Sequence, residues 1–258
     1  MSWPARLRGL RAAIHFMTRV PIGGEPFSAE DWSWAPAHFP AVGLLIGGLS
    51  SLAFLAARHQ GAALAATLAV AVGILATGAF HEDGLADTFD ALGGAHGPKN
   101  LFEILRDSRL GTYGVTALIV TLLLRIQCLA ILRQPVWLVL PLLHVLARTG
   151  PVWLMLLLPH ACPEGAKSGT VSQGVSVSRG MLALLWAGAA LVAAGALGLP
   201  LSSVAMLGAL CAGVTVLAGR WFLRRAGGWT GDFLGATEQL CEVLGLVCLT
   251  LAPERLYG

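Results

Sequence analysis

The chain has 258 residues, of which 56% are hydrophobic and only 12% charged, and its mean hydropathy is +0.73. Soluble domains carry about 25% charged residues, so an ordinary soluble fold is excluded and an all-α polytopic membrane protein is expected. The net charge of +3 comes from basic residues dispersed among apolar segments, which excludes a nucleic-acid footprint.

The first segment, MSWPARLRGLRAAIHFMTRVP, is basic and lacks the apolar core and cleavage site of a signal peptide. Leu7, Leu10, Ile14 and Met17 recur at helical spacing between Arg6, Arg8 and Arg11, the pattern of a short interfacial helix. Seven apolar stretches follow, roughly 38–57, 61–80, 113–132, 136–158, 181–199, 202–218 and 238–252. A span needs about 20 residues, so the last two are short, and the expectation is that they are tilted, partly buried in the bundle or extended by their flanks. Pro200 separates the fifth from the sixth. The expectation is one integral-membrane domain over 1–258, a single bundle of about seven transmembrane helices with long polar loops at 81–112, 160–180 and 219–237. Cys128, Cys162, Cys211, Cys241 and Cys248 show no CxxC spacing and read as small buried residues.

Orientation follows from the loop cations. Arg6, Arg8, Arg11, Arg19, Lys99, Arg106, Arg109, Lys167, Arg179, Arg220, Arg224 and Arg225 fall on one side of a seven-span topology, and Arg58, Arg133 and Arg255 on the other. That bias puts the N-terminus and the three long loops in the cytoplasm and the C-terminus outside.

The second stretch runs into HEDGLADTFDALGG, residues 81–94, which holds Glu82, Asp83, Asp87 and Asp90. Read as helix, Asp83, Asp87 and Asp90 share one face, with Glu82 one residue off it. At the membrane centre each Asp would cost about 2.5–3.5 kcal/mol, so the cluster belongs at a wet membrane face. A solvated helix end would mix charges, yet no Lys or Arg occurs between Arg58 and Lys99. A hard divalent cation such as Mg²⁺, which takes oxygen ligands and shares them with phosphates, is the economical compensator. Glu82, Asp83, Asp87 and Asp90 are the candidate metal ligands. Gly84 permits close approach of backbone or substrate.

Further on, LFEILRDSRLGTYG places Arg106, Ser108 and Arg109 before the third span. Arginine suits phosphate recognition; the plainer alternative is an anchor that pairs with the loop's own acids. Lys167, in the turn Lys167–Thr170, is a further phosphate-binding candidate. In the fourth span, His144 and Arg148 stand one helical turn apart and should face the bundle interior. Before the last span, GWTGDFLGATEQLCE supplies Asp232, Glu238 and Glu242. Asp232 reads as a second half of the acidic site or as the cap of the last helix. Glu238 is a candidate substrate contact, and Glu242 reads as a buried partner of Arg125 or Arg148. The candidate catalytic set is Asp83, Asp87, Asp90 and Asp232. Acids that hold Mg²⁺ beside arginines at a membrane face fit phosphoryl or prenyl transfer from a diphosphate.

At these residues the sequence resembles a known family. FMTRVPIG, HFPAVGLLIGG, HEDGLADTFDALGG, LRDSRLGTYG and GDFLGATEQLCE follow, in order, the motifs of the cobalamin synthase (adenosylcobinamide-GDP ribazoletransferase) family from about residue 16 to 242. The chain departs from it with DALGGAHG where the family often has DGLGGG. The resemblance implies a Mg²⁺-dependent enzyme of the cytoplasmic (inner) membrane. Its substrates would be adenosylcobinamide-GDP and α-ribazole or its 5′-phosphate, with release of GMP, and its neighbours the bilayer and other late cobalamin-assembly enzymes. Other classes also fit part of the pattern. Asp83 to Asp87 matches the DxxxD of membrane prenyltransferases, and DGLAD resembles CDP-alcohol phosphotransferases. A cation transporter would place its acids nearer the midplane.

Overall fold

The structure is a computed structural model that describes residues 4–24, 27–95, 97–161 and 175–252. Among these residues it is all helix, save one isolated bridge between His160 and Trp229. The helices are α1 (Ala5–Met17), α2 (Ala29–Trp34), α3 (Phe39–Ala57), α4 (Ala62–Thr77), α5 (Phe80–Gly94), α6 (Pro98–Leu105), α7 (Thr112–Ala130), α8 (Val136–Leu157), α9 (Val177–Ala196), α10 (Leu201–Ala226) and α11 (Gly231–Leu251). Short 3₁₀ turns flank α3 at Ala35–His38 and Arg58–Gln60.

Six segments are long and apolar enough to cross a bilayer: α3 with its flanks, α7, α8, α9, α10 and α11. A seventh is the pair α4 and α5, bent by 90°. The chain is therefore a polytopic helical membrane protein. Its centre is α8, whose span is 83% buried, whereas that of α9 is 22% buried. Peripheral leucines such as Leu123, Leu185 and Leu217 stay exposed, as a surface solvated by lipid allows. The motif HFPAVGLLIGG has a packing reason. A Cβ on Gly43 would stand 2.3 Å from His144 O, and one on Gly47 2.6 Å from Leu140 O. Two glycines four residues apart thus let the backbones of α3 and α8 touch.

Two expectations change and a third is narrowed. The loops 81–112 and 219–237 are mostly helix: α5 and α6 fill the first, and only residues 227–230 separate α10 from α11. The last two spans are accordingly longer than their apolar cores, at 26 and 21 residues. Helix propensity and packing carry a helix past the point where its residues turn polar. In α1 the buried face is Gly9, Ala12, Ala13 and Met17, while Leu7 is exposed. Small residues win because Trp34 lies against Gly9, where a Cβ would be 2.5 Å from the Trp34 Cβ.

The bend between α4 and α5 comes from two consecutive left-handed residues, Gly78 (φ 69°) and Ala79 (φ 60°). The Ala79 N–H donates to Ile74 O at 2.9 Å and closes α4. For Ala79 this conformation costs about 1–2 kcal/mol. The turn lays α5 across the end of the bundle, where several chain ends meet. Arg19 N donates to Ala76 O at 2.8 Å, Arg179 Nη2 to Ser33 Oγ at 2.8 Å, and Ala161 N to Trp229 O at 2.8 Å. Arg225 Nη2, from the end of α10, donates to Leu92 O and Ala95 O at the C-terminus of α5. A cation there complements the helix dipole.

A candidate active site on the helix that caps the bundle

The amphipathic turn pattern of α5 divides its acids between two directions. Asp83 is exposed and Asp87 half-buried on the outer face, while Leu85 is fully buried beneath. Glu82 lies on the inner side and is only 8% exposed. No hydrogen bond or ion pair engages the carboxylates of Asp83 and Asp87 among the described residues.

Asp232 joins them from α11. A Cβ on Gly84 would lie 2.9 Å from Asp232 O and 3.1 Å from Asp232 Cα, so Gly84 is what lets α5 rest on the first turn of α11. The cap of α11 is Thr230, whose hydroxyl accepts the Phe233 N–H at 3.2 Å. Asp232 is thus not needed as the cap. Its charge adds to that of Asp83, Asp87 and Asp90 at this end of the bundle. Loops far apart in sequence therefore converge on one acidic site of Asp83, Asp87 and Asp232. These three offer only oxygen ligands, the kind Mg²⁺ takes, but among the described residues their carboxylates are not drawn together as a ligand group.

Asp90, on the same turn pattern, already has partners. Its Oδ2 accepts the Gly111 N–H at 2.7 Å and its Oδ1 the Gly114 N–H at 2.8 Å. It caps α7 from a neighbouring helix, where α7 has no side-chain cap of its own. Both glycines are required, since a Cβ on either would stand 2.4 Å from an Asp90 oxygen. Tyr113 lies over Gly93, where a Cβ would be 2.6 Å from the ring. This contact set explains why DALGG and GTYG occur together.

Glu82 belongs to a second, buried cluster. Its Oε1 accepts from Arg125 Nη1 at 3.3 Å and from Gln239 Nε2 at 3.2 Å. Arg125 Nη1 also donates to Gln239 Oε1 at 2.8 Å, and its Nη2 pairs with Glu242 Oε2 at 2.6 Å. Arg148 Nη1 lies 2.7 Å from Glu238 Oε1, 3.1 Å from Glu242 Oε1 and 2.9 Å from His144 Nδ1. His144, Glu238 and Glu242 each present a ligand atom within 4.8 Å of the others. The Arg148 guanidinium occupies the place a cation would take among them. Glu242 is thus the buried partner of both arginines, as expected, and Glu238 sits with it inside the bundle, 1% exposed.

The remaining candidates lie at the surface. Arg106, Ser108 and Arg109 are exposed. Arg109 forks onto Asp107, with Nη2 to Oδ2 at 2.6 Å and Nε to Oδ1 at 3.0 Å. Those bonds hold the Asp107 carboxyl down to about 2. Lys167 lies outside the described residues.

Comparison with known proteins now adds to this geometry. Residues 9–250 match the family described as cobalamin-5-phosphate synthase. The chain belongs to that family. It is 37% identical to the adenosylcobinamide-GDP ribazoletransferase of Albidiferax ferrireducens, over 92% of this chain and 95% of the relative. It is 40% identical to those of Leptothrix cholodnii (90% of each chain) and Bradyrhizobium diazoefficiens (92% of this chain, 91% of the relative). No solved structure matches it. Membership makes the chain a membrane enzyme, a transferase of cobalamin synthesis.

Sequence reasoning missed Gln239 and the depth of the arginine network. An Arg in mid-span, such as Arg125, was the available signal, because an unpaired guanidinium does not persist in an apolar bundle. It also missed the trans cap on α7; the spacing of Gly111 and Gly114 at the start of a helix carries no charge and drew no attention.

Proposed function

We propose that this chain transfers the phosphocobinamide part of adenosylcobinamide-GDP to a ribose hydroxyl of α-ribazole or its 5′-phosphate, with release of GMP. The observation that carries the reading is the convergence of Asp83, Asp87 and Asp232 on one end of the bundle, without a compensating cation. The printed names of the relatives supply the substrates.

In this reading Asp83 and Asp87 would hold Mg²⁺, which would supply neutralisation of the negative charge that builds during transfer. The acceptor hydroxyl oxygen forms a bond to the phosphorus that carries the cobinamide. The bond from that phosphorus to the oxygen of GMP breaks, and GMP takes the electron pair. Asp232, facing the pair from α11, accepts the hydroxyl proton. Arg106 and Arg109 contact substrate phosphates from the α6–α7 connection. The loop cations orient this end to the cytoplasm across the inner membrane.

The test is an assay that follows GMP from adenosylcobinamide-GDP and α-ribazole 5′-phosphate, with and without Mg²⁺. Asp232→Asn keeps the Thr230 cap, so the fold should persist while kcat falls about a hundredfold or more. Near-normal kcat in that variant removes Asp232 from the reaction. No GMP from the wild-type chain in the presence of Mg²⁺ rejects the transferase reading as a whole.

A further inference from the structure

The outer face of α5 does not end at its acids. Phe80 stands one turn before Asp83 on the same side and is 43% exposed. Its ring meets Phe16 of α1 edge-on, with centroids 5.3 Å apart. Phe16, 36% exposed, continues to Trp32 at 6.4 Å, and Trp32 to Phe27 at 5.0 Å. His15 completes the row, 5.1 Å from Phe27. These rings come from three separate segments and form a continuous row, packed edge to face or tilted, that ends at Phe80, one turn before Asp83.

Arg19 lies at the edge of this row. Its backbone is pinned by the bond to Ala76 O. Its side chain crosses Gly78, where a Cβ would collide with Nε at 2.2 Å. Gly78 therefore serves the bend and also clears a path for the guanidinium. Arg19 is exposed, and its guanidinium makes no hydrogen bond or ion pair among the described residues. A row of exposed rings packed mostly edge to face thus reaches α5, where Arg19 lies over Gly78 and Asp83 and Asp87 follow Phe80, with no ion pair on any of the three charged groups among the described residues.

We propose that Phe16, Trp32 and Phe80 form the stacking subsite for the heteroaromatic base of a ribose-phosphate substrate, with Arg19 on its phosphate. This rests on the transferase reading and names the part of the site that takes a base. Every aromatic base offers a π-face, and stacking on Phe or Trp needs no matched hydrogen bonds. Guanidinium pairs with phosphate in a fork. The same chemistry is offered by the guanosine half of the donor and by the acceptor's benzimidazole. An aromatic belt that only meets lipid headgroups would also place rings here, but it gives no reason for Arg19 to lie over Gly78 at the start of α5.

The experiment compares Phe80→Leu and Phe16→Leu with Phe80→Tyr in the full-length protein in detergent. Leucine keeps apolar bulk but removes the π-face. KM for each substrate is measured separately, and GMP and α-ribazole are titrated calorimetrically. Both leucine variants should weaken one of the two ligands by roughly 5- to 100-fold with kcat retained, as loss of one stacked base does. Phe80→Tyr should restore it. The ligand that weakens identifies the base on these rings. Arg19→Gln should weaken the phosphorylated form of that ligand and leave its unphosphorylated nucleoside unchanged. Wild-type turnover with unchanged KM and affinity in both leucine variants overturns the stacking subsite and leaves the transferase reading standing. A leucine variant that loses turnover together with its monodisperse elution peak is replaced by Trp32→Leu, to which the same criteria apply.

Discussion

Two acidic clusters lie on opposite sides of one helix, and their chemistry differs because their counter-charges differ. Beneath α5, Glu82, Glu238 and Glu242 meet Arg125 and Arg148, all at or below 10% side-chain exposure. Above it, Asp83 and Asp87 meet no cation among the described residues, and Asp232 adds further negative charge. Buried ions persist only when paired and hydrogen-bonded, and in the lower cluster every carboxylate has an arginine, although Glu82 Oε2 and Arg148 Nε lack a hydrogen-bond partner among the described residues. The upper cluster is left with charge that a ligand can neutralise. A count of acids would rank the two alike; the arginines tell them apart.

The sharpest way to break this contrast is to neutralise the upper acids. Asp83→Asn or Asp87→Asn should remove about a thousandfold or more of kcat, the scale on which metal and electrostatic stabilisation act. Thermal stability in detergent should hold or rise, because like charges no longer repel. Turnover near the wild-type rate in either variant would take that residue out of the site.

The lower cluster should respond in the opposite sense. Arg125→Leu takes from Glu82 its arginine and from Glu242 one of two, leaving Gln239 on the first and Arg148 on the second, and breaking a buried pair costs about 3–5 kcal/mol. Denaturation should move to much lower temperature, and activity should be lost with the fold rather than before it. A variant that stays fully stable while kcat alone collapses would place Arg125 in the chemistry and erase the distinction between the clusters.

Asp90 stands between the two cases. It is an outer acid in sequence, yet it is satisfied like an inner one by Gly111 and Gly114. Asp90→Asn keeps one acceptor and turns an amide N–H₂ toward the other backbone donor. The expected loss is about 1–3 kcal/mol of stability, with the Mg²⁺ concentration for half-maximal activity unchanged. If that concentration rises tenfold or more at unaltered stability, Asp90 is a ligand as well as a cap.

Much of this arrangement was legible in the sequence. Five of the seven apolar stretches coincide with helices to within a few residues. The spacing of Asp83, Asp87 and Asp90 implied helix, and Gly84 implied close approach, which the contact with Asp232 bears out. The right-angle bend was not legible, because Ala79 takes a left-handed conformation that alanine does not advertise. Of the ways in which the two short apolar stretches could span, α10 and α11 take extension by their flanks, where Arg220, Arg224, Arg225, Asp232 and Glu238 continue helix beyond the apolar cores. Hydropathy marks where lipid is, not where a helix stops.

The smallest expected effect separates two neighbouring arginines. Arg109 is engaged by Asp107 through a forked pair, whereas Arg106, at the C-terminal end of α6, is exposed and makes no ion pair among the described residues. A substrate phosphate reaching this connection meets Arg106 ready to bind, but must compete with a carboxylate for Arg109. Exposed pairs contribute about 0–1 kcal/mol, so neither Arg106→Gln nor Arg109→Gln should shift thermal stability noticeably. Steady-state kinetics at low ionic strength should separate them. Arg106→Gln should raise KM for the diphosphate substrate several-fold, as loss of one charge-assisted contact implies. Arg109→Gln should raise it less, since the contact it removes is partly cancelled by the pair it breaks. Asp107→Asn then becomes informative: freeing Arg109 from its partner should lower KM below the wild-type value. Added salt should shrink all three differences, because screening weakens exposed charges first. Identical KM values across the three variants at low salt would show that this connection only anchors the helices and leaves phosphate recognition to Arg19 and the metal.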